Sequence, residues 1–298
     1  MIPQTVEQSG ERIAIDIESG RIAGWRWRRC GAPRVLFSHA TGFCASAYKR
    51  MLGAIAADGV DVTAIDLRGH GRTSLPADPA RLRDWNIYAR DVAAALDRLG
   101  GGGWILAGHS CGAVVSALAA RGRSDVAVLA LIEPVSMSPL TFVAAKSPLW
   151  PLFSRRFPLV RGALARRDEW ESGEAVRASY VRKKLFSTWG AGVLDDYLED
   201  GLVEGEGGGV RLACAPAWEA ATFAAHGHNF WGAVAAAPAP ISVLAADHPS
   251  STLFAGAEKR FRRAGAQVET EAGVTHLLPL EKPLLAARFI AAAARQNG

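Results

Sequence analysis

Residues 126–132 read VAVLALI, with no polar side chain on either alternating face. Such a strand has to be covered on both sides, the condition of a parallel sheet in an α/β protein. Related runs recur at Arg34–Ser38 (RVLFS), Val60–Ile65 (VDVTAI) and Trp104–Ala107 (WILA), and again at Ile241–Ala246 and Gln267–Glu271. Between them, residues 46–57, 84–99 and 113–121, then 253–263 and 284–294, carry helical patterning. Alternation at this spacing calls for right-handed crossovers. Near the start, Ile13, Ile15 and Ile17 alternate with Ala14, Asp16 and Glu18, and Gly20 separates this run from Arg21–Arg28; a hairpin is expected. The predicted class is α/β, a mostly parallel central sheet with helices on both faces.

The regular order breaks at Pro134. Prolines at 139, 148, 151 and 158 interrupt the next stretch of chain, and charge becomes clustered. Residues 155–184 hold nine Lys/Arg against four Asp/Glu, whereas 195–206 hold six acids and no base. The two runs are expected to face solvent and to pair with each other. Leu194, Leu198 and Leu202 mark a helix, and Gly207–Gly209 a turn into a short extended piece. The expected organisation is a core made of 1–134 and 238–298, interrupted by a helical cap at 135–237. Phe142, Trp150, Phe153, Trp189, Phe230 and Trp231 are candidates for a pocket lining or for the cap's own core.

Composition narrows the function classes. The 298 residues are 49% hydrophobic and 21% charged, a balance that buries a core. With 34 Lys plus Arg against 29 Asp plus Glu, the excess of +5 is too mild for a nucleic-acid partner. Cys30, Cys44, Cys111 and Cys214 form no C-x-x-C pair, so neither a zinc site nor a disulfide framework is indicated. Reduced thiols in a cytoplasmic protein are expected. The opening MIPQTVEQSGERIAID lacks the apolar segment of a signal peptide, and no window is long and apolar enough for a membrane span.

The chemistry centres on Gly108-His109-Ser110-Cys111-Gly112. A serine hydroxyl becomes a nucleophile when it is exposed and given a base. A tight strand-to-helix turn exposes it and leaves room only for small flanking residues, hence G-x-S-x-G. The apolar run WILA precedes the motif and an Ala/Val-rich helix comes after it. Imidazole is the side chain able to take and return a proton near neutrality. In this arrangement the order is serine, acid, histidine, which leaves His226, His228, His248 and His276. His276 comes after the last strand on a loop before the final helix, where an open α/β sheet gathers reactive groups. His226 and His228 are candidates for the cap side of the pocket; as a metal pair they lack a third ligand. Two N–H groups are needed for the oxyanion, expected from Cys111 and from Thr41 in the loop His39-Ala-Thr-Gly-Phe43.

At these residues the sequence resembles the α/β-hydrolase family. Ser38-His-Ala-Thr-Gly42 is similar to its H-G-x-x-G oxyanion loop, with Ala40 in place of the usual glycine. Asp66-Leu-Arg-Gly-His-Gly71 resembles its D-x-R-G-x-G turn, which in the family supports the fold. Gly108–Gly112 matches its nucleophile elbow, and Gly273-Val-Thr-His276 with Pro279, Glu281 and Pro283 its terminal histidine segment. Serine at 110 sets the chain apart from the epoxide-hydrolase and haloalkane-dehalogenase branches, which carry aspartate there. The family usually places the acid a few residues past the seventh strand, where Pro249 stands here and Asp247 comes two residues early. A second location lies after the sixth strand, at Glu133. Glu133 is preferred and Asp247 kept as the alternative, since Asp247 would need a shifted loop. The resemblance implies a serine hydrolase of carboxylic esters of small to medium apolar acids. Neither cofactor nor metal is expected; the partner is a small-molecule ester, and a homodimer is left open. Lactones, amides, thioesters, C–C bonds and a non-catalytic binding role are the alternatives.

Overall fold

The computed structural model describes residues 10–247 and 251–295. Strands β1 (Glu11–Ile17) and β2 (Gly20–Trp27) form the expected hairpin. Next come β3 (Arg34–Ser38), β4 (Asp61–Ile65), β5 (Trp104–His109) and β6 (Val126–Ile132). After a long intervening segment containing β7 (Glu169–Trp170), β8 (Leu202–Glu204) and β9 (Val210–Leu212), β10 (Ile241–Ala246) and β11 (Gln267–Glu271) complete the main sheet.

The eight-stranded sheet runs β1-β2-β4-β3-β5-β6-β10-β11. Only the β1–β2 and β2–β4 pairs are antiparallel; β4 through β11 are parallel neighbours. Alternate residues serve opposite faces, as strand geometry requires. Val35 and Phe37 join Ile105 and Ala107 in one apolar layer, whereas Leu36 and Leu106 belong to the other. Helices Lys49–Ala57 and Pro283–Arg295 cover the first layer. Helices Asn86–Leu99, Cys111–Ala119 and Ala257–Arg263 cover the second. With both faces closed, reactive groups are left to the ends of the strands, and open α/β sheets gather them at the carboxyl edge, where β3, β5, β6 and β11 end.

The intervening segment is irregular for a legible reason. Pro139 and Pro158 each open a helix, Pro139–Ala144 and Pro158–Leu164, where a missing N–H costs nothing. Helix Trp150–Ser154 lies between them, and Gly173–Tyr180, Val193–Gly201, Pro216–Ala224 and Phe230–Ala235 come later. Strands β7, β9 and β8 pair into a small antiparallel sheet, of which the sequence suggested only β9.

Among the described residues the acidic run meets the basic run at a single ion pair, so the expected pairing of the two runs holds only there. Asp200, almost wholly buried, accepts from Arg12 and Arg72 of the main body and from the Trp25 indole. Burial alone would raise this carboxyl; the Arg12, Arg72 and Trp25 donors outweigh it and hold it below the usual aspartate range. Glu199 pairs with Arg12 and Lys49, and Asp196 with Arg50. Between the two runs themselves, Arg177–Asp195 is the ion pair found among the described residues. Helix Val193–Gly201 is thus pinned to the main sheet by charge.

Candidate active site

Strand β5 passes into helix Cys111–Ala119 through one residue, Ser110, at φ 57° and ψ −116°. The turn is tight enough that a Cβ on Gly108 would strike the Gly112 backbone, and one on Gly112 the Ser38 carbonyl. This is the steric basis of the G-x-S-x-G spacing. Among the described residues only Ser110 and Glu133 (φ 47°) are non-glycines with positive φ. Such geometry costs of order 1–3 kcal/mol per residue and persists only where the surroundings enforce it.

The two strained residues meet through His276. Its Nε2 lies 2.9 Å from Ser110 Oγ, and its Nδ1 3.0 Å from Glu133 Oε2. An ionised carboxylate only accepts, so Nδ1 carries the proton and Nε2 is left to accept from the serine hydroxyl. The turn bearing His276 is held by Glu281, which accepts from the Thr275 N–H and hydroxyl.

Glu133 comes directly after β6 and is fully buried. Its carboxylate accepts from the N–H of Ala246 and Thr252 and from the hydroxyls of Ser251 and Thr252, besides His276. Burial pulls its pKa upward, but the His276 bond and charge and the donors from residues 251–252 prevail, and the group sits below the ordinary glutamate range. Asp247, the other candidate acid, is exposed, and its N–H donates to the Glu271 carbonyl. The chain at 247 is still running alongside β11, and among the described residues the side-chain hydrogen bonds of His276 go to Ser110, Glu133 and Thr252. His248 and Pro249 lie outside the described residues. What the loop after β10 brings to the site is Ser251 and Thr252, which serve the carboxylate arriving from β6; the sequence reasoning missed both.

Thr41 lines the same cavity as Ser110 and His276. Its neighbours are fixed: Ala40 N–H donates to the Tyr48 hydroxyl, Gly42 N–H to His70 Nε2, and Phe43 N–H to the Ala40 carbonyl. Cys111 opens its helix, where the first N–H groups have no partner within the helix. Burial pushes the Cys111 thiol up to about 12, which leaves it protonated and unreactive.

His109, the variable residue of the elbow, has a structural task that the motif did not disclose. Its Nε2–H donates to the His276 carbonyl at 2.8 Å, so its Nδ1 must accept, from the Tyr48 hydroxyl at 2.7 Å. Tyr48 in turn accepts from Ala40, so one chain of bonds joins the loop after β3 to the histidine turn. A second unforeseen group is Glu219, which accepts from Arg166 with both oxygens and sits against Gly42, occupying the space a side chain would need.

The cavity above Ser110 has a volume of about 940 Å³. Its aromatic wall comes from Phe43, Trp85, Phe157, Tyr180, Phe186, Tyr197 and Phe223. None of the six aromatics singled out from the sequence belongs to it. Phe230 and Trp231 pack on Phe261, Trp189 on Phe43 and Phe186, and Phe153 faces solvent. His226 does reach the cavity, while His228 stacks on Trp85. Among the described residues no group of His, Cys, Asp and Glu has metal-binding geometry, and no helix is long and apolar enough to cross a membrane.

Comparison with known proteins agrees with this architecture. The model of the alpha/beta hydrolase family matches residues 35–289. A protein of Caballeronia sordidicola named epoxide hydrolase is 36% identical over 93 residues, a match spanning 31% of this chain and 28% of that protein. The solved structure of E-2-(acetamidomethylene)succinate hydrolase superposes with a TM-score of 0.76 at 20% identity, covering 96% of this chain and 100% of that one. The thioesterase domain from the curacin biosynthetic pathway gives 0.73 at 17%, covering 95% and 99%. At such identities the structures speak to the fold alone, but the family model runs through β3, the elbow and the histidine turn. The chain belongs to the alpha/beta hydrolase family.

Proposed function

We propose that the protein is a serine hydrolase of carboxylic esters of small to medium, largely apolar acids. The observation that carries this reading is the unbroken relay from Ser110 Oγ through His276 to Glu133 Oε2, at 2.9 and 3.0 Å. As Ser110 Oγ attacks the ester carbonyl, its proton passes to His276 Nε2. Glu133 stabilises the imidazolium and holds its tautomer. The Thr41 and Cys111 amides receive the charge that develops on the carbonyl oxygen. The proton then goes to the departing alcohol, leaving an acyl-enzyme. Water repeats the sequence, losing its proton to His276, and the acid is released with Ser110 restored.

The segment 135–237 acts as a cap in this reading, since Phe157, Tyr180, Phe186 and Phe223 from it wall the cavity. Two cations also line it: Arg166 is neutralised by Glu219, and Lys183 rests its ammonium over the Tyr180 ring, so the wall remains mostly apolar and suited to an apolar acyl group. Epoxide opening, suggested by the name of the partial relative, fits position 110 poorly. A serine attacking an epoxide carbon would form an ether, which has no carbonyl for water to attack and no oxyanion for the amides to stabilise. Hydrolysis of short p-nitrophenyl esters tests the reading. Ser110→Ala should lower kcat by on the order of 10⁴-fold or more, whereas retained turnover, or none in the parent protein, would overturn it.

A further inference from the structure

The first three helices of the cap depart from the rest of the surface. Among the described residues ten large hydrophobic side chains are strongly exposed, and seven of them fall between Leu140 and Leu164. Leu140 and Val143 project from the first helix, Leu152 and Phe153 from the second, and Leu159 and Leu164 from the third, each at least 55% exposed. Apolar exposure this concentrated marks a surface that meets something.

Charge says what it meets. No acid occurs between Glu133 and Asp168, a stretch with six cations. Arg166 and Arg167 are paired, with Glu219 and Glu171. Lys146, Arg155, Arg156 and Arg161 have no ion-pair partner among the described residues, because the acidic run that might have met them is spent on Arg12, Lys49, Arg50 and Arg72. Arg155 and Arg156 lie two and three positions beyond Phe153, and Arg161 lies between Leu159 and Leu164. Apolar groups interleaved with free cations suit a lipid–water boundary, where the former enter the acyl margin and the latter meet phosphates. The face is continuous with the site, since Phe157, Pro158, Leu159 and Gly162 also line the cavity above Ser110.

We propose that this face docks on an anionic lipid surface, with Leu152, Phe153 and Leu159 in the headgroup region and Arg155, Arg156 and Arg161 on lipid phosphates. Delivery of an ester from that surface into the cavity rests on the esterase reading; the docking does not.

Co-sedimentation of the full chain with phosphatidylcholine vesicles, with and without phosphatidylglycerol, tests it. The protein should bind the anionic vesicles, less as salt rises, and Ser110→Ala should bind equally well. Arg155→Gln combined with Arg156→Gln should lower the partition coefficient roughly thirtyfold, at about 1 kcal/mol per cation. Leu152→Glu should lower it at least as far. Both variants alter surface positions, so their thermal midpoints and turnover of a soluble ester should match the parent. Absence of binding at low salt, equal binding to vesicles lacking phosphatidylglycerol, or parent-like binding by the variants would overturn the proposal. So would a dimer in solution that Leu152→Glu dissolves, which would assign the face to a second copy.

Discussion

The carboxyl edge of the sheet and the first three helices of the segment 135–237 use polar groups in opposite ways. At the edge, almost every polar atom is spoken for. Glu133 collects donors from four residues, His109 and Tyr48 bridge two loops, and two non-glycine residues are held at positive φ. On and beside these helices four cations stand without an ion-pair partner among the described residues, next to exposed leucines and a phenylalanine. The difference teaches that one region is organised before any ligand arrives, whereas the other is completed by what it meets. Substitutions should therefore be costly at the edge and nearly silent on the cap face while the protein is alone in solution.

After the loss of Ser110 itself, the largest effect is expected at Glu133. Glu133→Gln should reduce kcat by about 10³–10⁴-fold, as loss of the triad acid does elsewhere, while Asp247→Asn should leave ester turnover within about twofold. The reverse pattern would move the acid to the loop after β10 and dissolve the contrast at its centre.

Acid should open the organised edge next. His39, His70 and His109 each donate from one ring nitrogen to a carbonyl and accept with the other, so only the neutral ring fits. Burial lowers His70 to about 4 and His109 to about 3, and takes His39 well below its usual value of 6.5. Unfolding at pH below 6.5 therefore takes up protons that the folded state refuses. Stability is full above that pH and falls as pH drops towards the folded values, by up to about 1.4 kcal/mol per pH unit for each ring. Glu133 adds a loss of the same sign below its ordinary 4.5, where the unfolded chain protonates first. Urea midpoints at pH 7, 5.5 and 4.5 check this, and an unchanged midpoint would contradict it.

Thr252 offers a finer probe, because its hydroxyl touches both Glu133 Oε2 and His276 Nδ1. Thr252→Val should lower kcat about tenfold with KM unchanged, and Thr252→Ser should restore it. Thr252 also lines the cavity, so a matching rise in KM would assign its hydroxyl to substrate binding rather than to positioning. The smallest effect belongs to the cap face, where Arg155→Gln with Arg156→Gln should change unfolding free energy by no more than about 0.5 kcal/mol. A larger loss would mean those cations have partners in the folded chain.

Legibility in the sequence divides along the same line. Residues 126–132 had to be a buried strand because both faces are apolar, and β6 has those bounds. Ser110 and His276 could be singled out because chain order and strand ends restrict where a nucleophile and its base can stand. The choice between Glu133 and Asp247 was less accessible, since it depends on how far β10 keeps pace with β11 and on donors supplied by Ser251 and Thr252. The charge runs at 155–184 and 195–206 misled because sequence gives the sign of a surface but not its neighbour. Arg12 and Arg72, distant in the chain, reach Asp200 first. Of the two roles left open for the aromatics, packing is the one seen for Trp189, Phe230 and Trp231; which ring of a short helix lines the cavity was not legible, and Phe157 rather than Phe153 turns inward.

Covalent labelling tests the central claim most directly. Treated with a fluorophosphonate, the intact chain should gain the mass of one adduct, mapped to the peptide containing Ser110 and absent in both Ser110→Ala and His276→Ala. An adduct on another residue, or none on a folded protein, would contradict the assignment of Ser110 as a nucleophile activated by His276.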